Sequence, residues 1–194
     1  IPGDDTNMRV LTSYSDRNGK VKMMCLGHVL LEEHTPYGIG NHAVIITEQE
    51  KELENTFREF LEAIEYKGFF NFDIKYDSRT NSYKVFEINV RQGRSNFYVT
   101  GAGFNVAEYF VEGFINEKEL EFKSCDNENL WMVVPKGVAF KYVKNDELRK
   151  KMKKLIKEGK YVNPLYFDKD NGIRRNLRLV KSQMGHYLKF KKYL

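Results

Sequence analysis

Two apolar runs with carboxylates inside them constrain this chain more than any other feature. Gly68–Ser95 reads GFFNFDIKYDSRTNSYKVFEINVRQGRS, with Asp73 among Phe69, Phe70, Phe72 and Ile74, and Glu87 and Asn89 alternating with Phe86, Ile88 and Val90. Both runs read as buried strands, and a bare carboxylate in such a strand costs several kcal/mol unless it has a partner. Side chains on a strand alternate faces, which puts Glu87, Asn89 and Arg91 on one side and Phe86, Ile88 and Val90 on the other. The turn-forming segment Asp77–Ser82 lets the runs fold back as an antiparallel hairpin that sets Asp73 beside Glu87 or Asn89. Two carboxylates and a carboxamide then converge, a hard oxygen set suited to Mg²⁺ or Mn²⁺, with Mg²⁺ in such sites usually carrying phosphates as well.

The order of the remaining segments points to an α+β domain with a largely antiparallel sheet. Met8–Tyr14 and Val21–Leu31 read as strands joined by an Asn-Gly turn, and Ala43–Thr47 as a third. Glu32–Asn41 between them reads as a connecting loop. Residues 48–67 read as an amphipathic helix, capped by Thr47, closed by Gly68 and striped with Leu53, Phe57, Phe60, Leu61 and Ile64. A second helix is expected over 105–115, a strand at Leu130–Pro135 and a basic helix over Asn145–Gly159 capped by Asn145 or Asp146. Asn163–Arg175 reads as irregular, and Arg178–Leu194 is too mixed for an assignment.

Charge and cysteine content narrow the setting. The chain of 194 residues has 32 basic and 27 acidic side chains, a net charge of +5. The excess lies after Phe140, which suits an anionic partner but equally a solvated lysine-rich helix. Two cysteines suggest neither a disulfide framework nor a metal motif, so a cytoplasmic location is expected. No run is long and apolar enough for a membrane helix, and no membrane partner is expected. The chain opens IPGDD without an initiator methionine, and a piece of a longer protein is expected.

Asp73 in FNFDIKYD, a hairpin turn, then Glu87, Asn89 and Arg91 in FEINVRQG together resemble the C-terminal part of the ATP-grasp superfamily, including the ATP-grasp domains of the carbamoyl phosphate synthase large subunit. The stretch FEINVRQGRSNFYVTGAGFN is similar to the bacterial carboxylate–amine ligases of that superfamily, among them D-aspartate ligases. The resemblance covers 1–115, leaving 116–194 as a basic C-terminal extension packed on it. It implies that Asp73, Glu87 and Asn89 hold two Mg (or Mn) ions with ATP and that Arg91 contacts the carboxylate substrate or its acyl phosphate. The implied chemistry is phosphorylation of a carboxylate, then displacement of phosphate by an amine. The family's N-terminal and lid domains have no counterpart here, so the isolated chain is expected to be inactive.

Each residue also has a plainer role available. Arg91 can form a structural salt bridge to Glu87, and Arg94 and Ser95, whose Gly-rich loop can cradle an oxyanion, can belong to a simple turn. His28 reads as a satisfied core residue, His34 and His42 as loop residues before substrate-facing ones, Trp131 as core, and His186 carries no signal. Asp5 lies where the family often has an acidic residue but is not assigned to the site. The functional alternative is a non-enzymatic module that grips nucleic acid through the basic C-terminal region, although nucleic acid is not the expected partner.

Overall fold

The computed structural model describes Ile1–Leu194. A 3-10 turn at Asp5–Asn7 leads into β1 (Met8–Ser15), β2 (Val21–Glu32), β3 (His42–Glu48), α1 (Lys51–Ala63), β4 (Gly68–Asp77) and β5 (Ser82–Asn89). Short helices α2 (Phe97–Gly101) and α3 (Val106–Phe110) follow, the latter running into a π-helical turn at Val111–Ile115. The chain ends with β6 (Lys123–Ser124), β7 (Leu130–Met132), α4 (Lys136–Tyr142), α5 (Asp146–Lys157), β8 (Tyr161–Val162) and α6 (Ile173–Tyr193). All eight strands form one sheet in the order β5-β4-β1-β2-β3-β7-β8, with β6 paired to β2. Only the β2–β6 and β7–β8 pairs are parallel, so the fold is α+β with a largely antiparallel sheet, as the hairpin signals predict.

Period-2 alternation divides the sheet between two layers. Phe70, Phe72 and Ile74 of β4 turn to one face and pack with Leu11, Leu26, and Phe57 and Leu61 of α1. On the other face Val10, Tyr14 and Phe69 pack with Tyr98 and Val99 of α2. Tyr98 is fully buried, and its hydroxyl donates to Cys25 O at 2.7 Å while accepting from Thr12 N at 3.1 Å. A third cluster joins Leu30, Val44 and Ile46 to Met132, Val138, Leu155 and Phe190, so strands and helices from both sides of residue 116 share one sheet and one layer of core.

Several local expectations need correction. The first helix is shorter than 48–67, because Glu48 belongs to β3, where it pairs with Leu26 and holds Arg9. Thr47 cannot cap the helix, since its hydroxyl donates to Asn127 O in the sheet. Phe60 and Ile64 are exposed, because the contact stripe is limited to the side of α1 facing β4. The helix has ended by Glu65, at φ 50°, while Gly68 opens β4 at φ 100°, a conformation that favours glycine. The segment 173–193, too mixed to assign from sequence, is one long helix.

The largest correction concerns β5. It is an edge strand, and Phe86, Ile88 and Val90 are 52%, 50% and 69% exposed rather than buried. The hairpin itself forms as the turn residues require: Asp77 pairs with Ser82, and the Asp77 carboxylate accepts from Arg79 N and its guanidinium. A β-bulge lies between the Asp73–Glu87 and Ile74–Val85 pairs, leaving Phe86 as the extra residue. That bulge sets the register in which Asp73 faces Glu87 and Asn71 faces Asn89.

Candidate active site

Asp73, Glu87 and Asn89 share the β4–β5 face opposite α1. Asn89 Nδ2 lies 3.4 Å from Asp73 Oδ2 and 3.1 Å from Glu87 Oε1, so one amide bridges both carboxylates. Burial pushes the Asp73 carboxyl up to about 6; the Glu87 charge adds to this and Arg91 opposes it. No three His, Cys, Asp or Glu side chains are grouped to hold a metal, so any cation here depends on the Asn89 amide oxygen as the third donor. Two crowded carboxylates and an amide oxygen fit Mg²⁺, whose remaining positions would be filled by water and phosphate oxygens.

The strand ends beside this hairpin supply further groups. His42, at the start of β3, pairs in register with Glu32 at the end of β2. Its Nε2 lies 3.6 Å from Glu32 Oε1 and 3.8 Å from Asp73 Oδ1, and its Nδ1 is 3.3 Å from Ser95 Oγ. Burial lowers the His42 pKa to about 4, so the imidazole is neutral at neutral pH. Glu32 is pushed up to about 7, by burial and then by the charge on Asp5. Asp5 accepts from Glu32 N at 2.9 Å and lies 3.0 Å from His34 Nε2, which joins it to the cluster. His28 is satisfied as expected, its Nε2 2.8 Å from Thr6 O.

These shifts fix the pH dependence of stability. Asp73 and Glu32 hold their protons more tightly in the fold than in the unfolded chain, so the native state binds more protons from about pH 4 to 7 and loses stability as pH rises through that window. His42 acts oppositely, since the unfolded chain gains a proton below about pH 6.5 that the fold refuses until about pH 4. Two carboxyls outweigh one imidazole, so urea unfolding without Mg²⁺ or nucleotide is expected to show stability falling from about pH 5 to about pH 7.5, a decline that Glu32→Gln reduces. A flat profile across that range would contradict this.

The loop after β5 carries the cationic groups. Arg91 makes no ion pair with Glu87 or any other carboxylate; its Nη1 donates to Gln92 O at 3.0 Å. A buried polar network fixes this loop from below: Asn96 Oδ1 accepts from Gly93 N at 3.0 Å and from Asn71 Nδ2 at 3.2 Å, and Thr12 Oγ1 lies 3.3 Å from both amide oxygens. A cavity of about 580 Å³ opens between hairpin and loop, lined by Asp73, Glu87, Asn89, Arg91, Arg94 and Ser95. The structure thus brings Asp73, Glu87, Asn89, Arg91, Arg94 and Ser95 to one cavity. It adds His42, and His186 and Lys189 from α6, to the same wall.

An acid–acid–amide hairpin facing a basic loop is the pattern in which this sequence resembles ATP-grasp carboxylate–amine ligases. The chain is similar to the D-aspartate ligase of Enterococcus faecium (strain Aus0004), 46% identical over 199 residues. That alignment takes in 100% of this chain, extending the likeness past residue 115, and 47% of the relative, so the chain spans about half of the relative's length. No protein-family model matches. Among solved structures, N5-carboxyaminoimidazole synthetase from Staphylococcus aureus complexed with ADP is 17% identical at a TM-score of 0.49, covering 72% of this chain and 37% of that one. The biotin carboxylase domain of Hydrogenobacter thermophilus 2-oxoglutarate carboxylase is 10% identical at a TM-score of 0.49, covering 63% and 28%.

Proposed function

We propose that the protein containing this chain is an ATP-dependent ligase that activates a carboxylate of D-aspartate and couples it to an amine. The relative's name supports the substrate, and the convergence of Asp73, Glu87 and Asn89 on one wall of the cavity carries the reading. In the first step a carboxylate oxygen attacks the γ-phosphorus and ADP leaves; in the second the amine nitrogen attacks the acyl carbon, phosphate leaves, and the amine gives up a proton. Mg²⁺ held by Asp73, Glu87 and Asn89 would neutralise the phosphate oxygens between which the phosphoryl group moves. Arg91, free of any internal ion pair, is suited to grip the carboxylate or acyl phosphate bidentately. Neutral His42 positions Ser95 at the base of the loop.

The rest of the protein would supply the lid and the lysines that hold the nucleotide, with 1–115 as the C-terminal part of the ATP-grasp domain and 116–194 as its extension. Use of ATP and Mg²⁺ suits a cytoplasmic enzyme, and no helix here is long and apolar enough to cross a membrane. The nucleic-acid alternative has no support: Lys150, Lys151, Lys154 and Lys160 are all engaged by carboxylates. Full-length protein given ATP, Mg²⁺, D-aspartate and an amine such as hydroxylamine is expected to release ADP at a rate that depends on D-aspartate. ADP release indifferent to the amino acid would overturn the proposal.

A further inference from the structure

We propose that α6 carries part of the carboxylate-substrate subsite, with His186 and Lys189, together with Arg94 and Glu33, reading the charged groups of an acidic α-amino acid beside the acidic hairpin. This assignment rests on the ligase reading above and says which residues of the site recognise the substrate.

The register of α6 is fixed at two points. Gln183 Nε2 donates to Val133 O at 2.9 Å, and Phe190 is buried in the cluster that includes Met132 and Val138. Ser182, His186 and Lys189, spaced four and three apart, then fall on one helical face and line the same cavity as Asp73 and Glu87. His186 is only 9% exposed, yet its Nδ1 has no partner, and neither has the indole Nε1 of buried Trp131 on the same wall. Buried polar groups are nearly always bonded within a fold, so two orphans on residues that line one cavity mark a wall whose polar groups the chain itself does not satisfy.

The charges point the same way. Arg94, Lys189 and Glu33 all line the cavity, and none belongs to an ion pair or a side-chain hydrogen bond. Burial lowers the His186 pKa, with Glu33 raising it and Lys189 and Arg94 lowering it, which places all three charges around the imidazole. A substrate whose reacting carboxylate lies toward Asp73, Glu87 and Asn89 would present its other end to this group. A second carboxylate matches Lys189 and Arg94, an ammonium matches Glu33, and the neutral imidazole adds one hydrogen bond.

Steady-state ADP release by the full-length protein tests this with three probes: D-aspartate, β-alanine, which lacks the α-carboxylate, and succinate, which lacks the ammonium. Lys189→Met is expected to raise KM for D-aspartate about tenfold, leave KM for ATP within about twofold, and shrink the preference for D-aspartate over β-alanine in the same measure. Glu33→Gln is expected to shrink the preference over succinate, and Lys189→Arg to retain most of the wild-type KM. Lys189 is exposed, so its variants should fold, which a thermal melt verifies. An active protein whose Lys189 and Glu33 variants match wild type, or change only in KM for ATP or for the amine, overturns this assignment alone. A full-length protein that releases no ADP in response to D-aspartate overturns the ligase reading and this assignment together.

Discussion

Asp73→Asn in the full-length protein is expected to lower D-aspartate-dependent ADP release by about 10²–10³-fold while raising the melting temperature of the metal-free enzyme. The two effects share one cause. The Asp73 carboxyl is pushed up to about 6 by burial and by Glu87, so at neutral pH the fold holds an anion in a place that disfavours it. Asparagine has nearly the same shape, carries no charge, and its amide oxygen can still accept from Asn89 Nδ2. The fold therefore loses a repulsion and keeps a hydrogen bond, while the site loses one of its two carboxylates. A residue that merely held the hairpin together would give the opposite pattern, with stability and activity falling in step. Activity near wild type in Asp73→Asn would remove the metal-site assignment.

The same logic extends across the strand ends. Glu32 and Asp73 lie beside a His42 too buried to be protonated at neutral pH, so this imidazole does not neutralise them. Arg91 is near enough to lower the Asp73 pKa but forms no pair with it. Uncompensated charge of this kind costs stability, and sites that bind charged ligands are where such a cost is retained. The basic groups of the cavity, Arg94 and Lys189, are unpaired in the same way. Opposite charges held apart in one cavity suit a ligand that carries both signs, as a metal–nucleotide complex and an amino acid do.

The hairpin was legible in sequence because its information is local. A turn-rich segment sets the register, and strand alternation then determines which side chains share a face, so Asp73, Glu87 and Asn89 could be grouped without knowing any other part of the fold. What alternation cannot tell is whether a face is covered. Phe86, Ile88 and Val90 look like core residues but sit on an edge strand that α1 does not reach. Glu32 and His42 become neighbours only through β2–β3 pairing across a long loop, and an acid at one strand end facing a histidine at the next strand's start was the signal available. Helix α6 was hidden for another reason. Its three buried residues are Gln183, His186 and Phe190, so two of the three inward positions are polar and no apolar stripe announces the helix.

Gly93→Ala is the change expected to separate the loop from the hairpin. Gly93 does not have a left-handed backbone; its constraint is contact, since a Cβ there would lie 2.6 Å from Asn71 Nδ2 and 3.0 Å from Asn96 Oδ1. Neither amide is free to swing away. Asn71 is buried in β4 and held by Thr12 and Asn96, and Asn96 in turn accepts from Gly93 N. Relief must come from breaking the Asn71–Asn96 bond or lifting the loop that carries Arg91, Arg94 and Ser95. The first route costs about 1–3 kcal/mol, read as a lower urea midpoint. The second misplaces the cationic wall, and a displacement near 1 Å from reacting groups can cost about 10²-fold in rate. Shortening the obstructing side chain in Gly93→Ala/Asn71→Ser should restore part of the activity, a coupling that a double-mutant cycle measures. Wild-type activity and stability in Gly93→Ala would mean that the buried amide network does not position the loop.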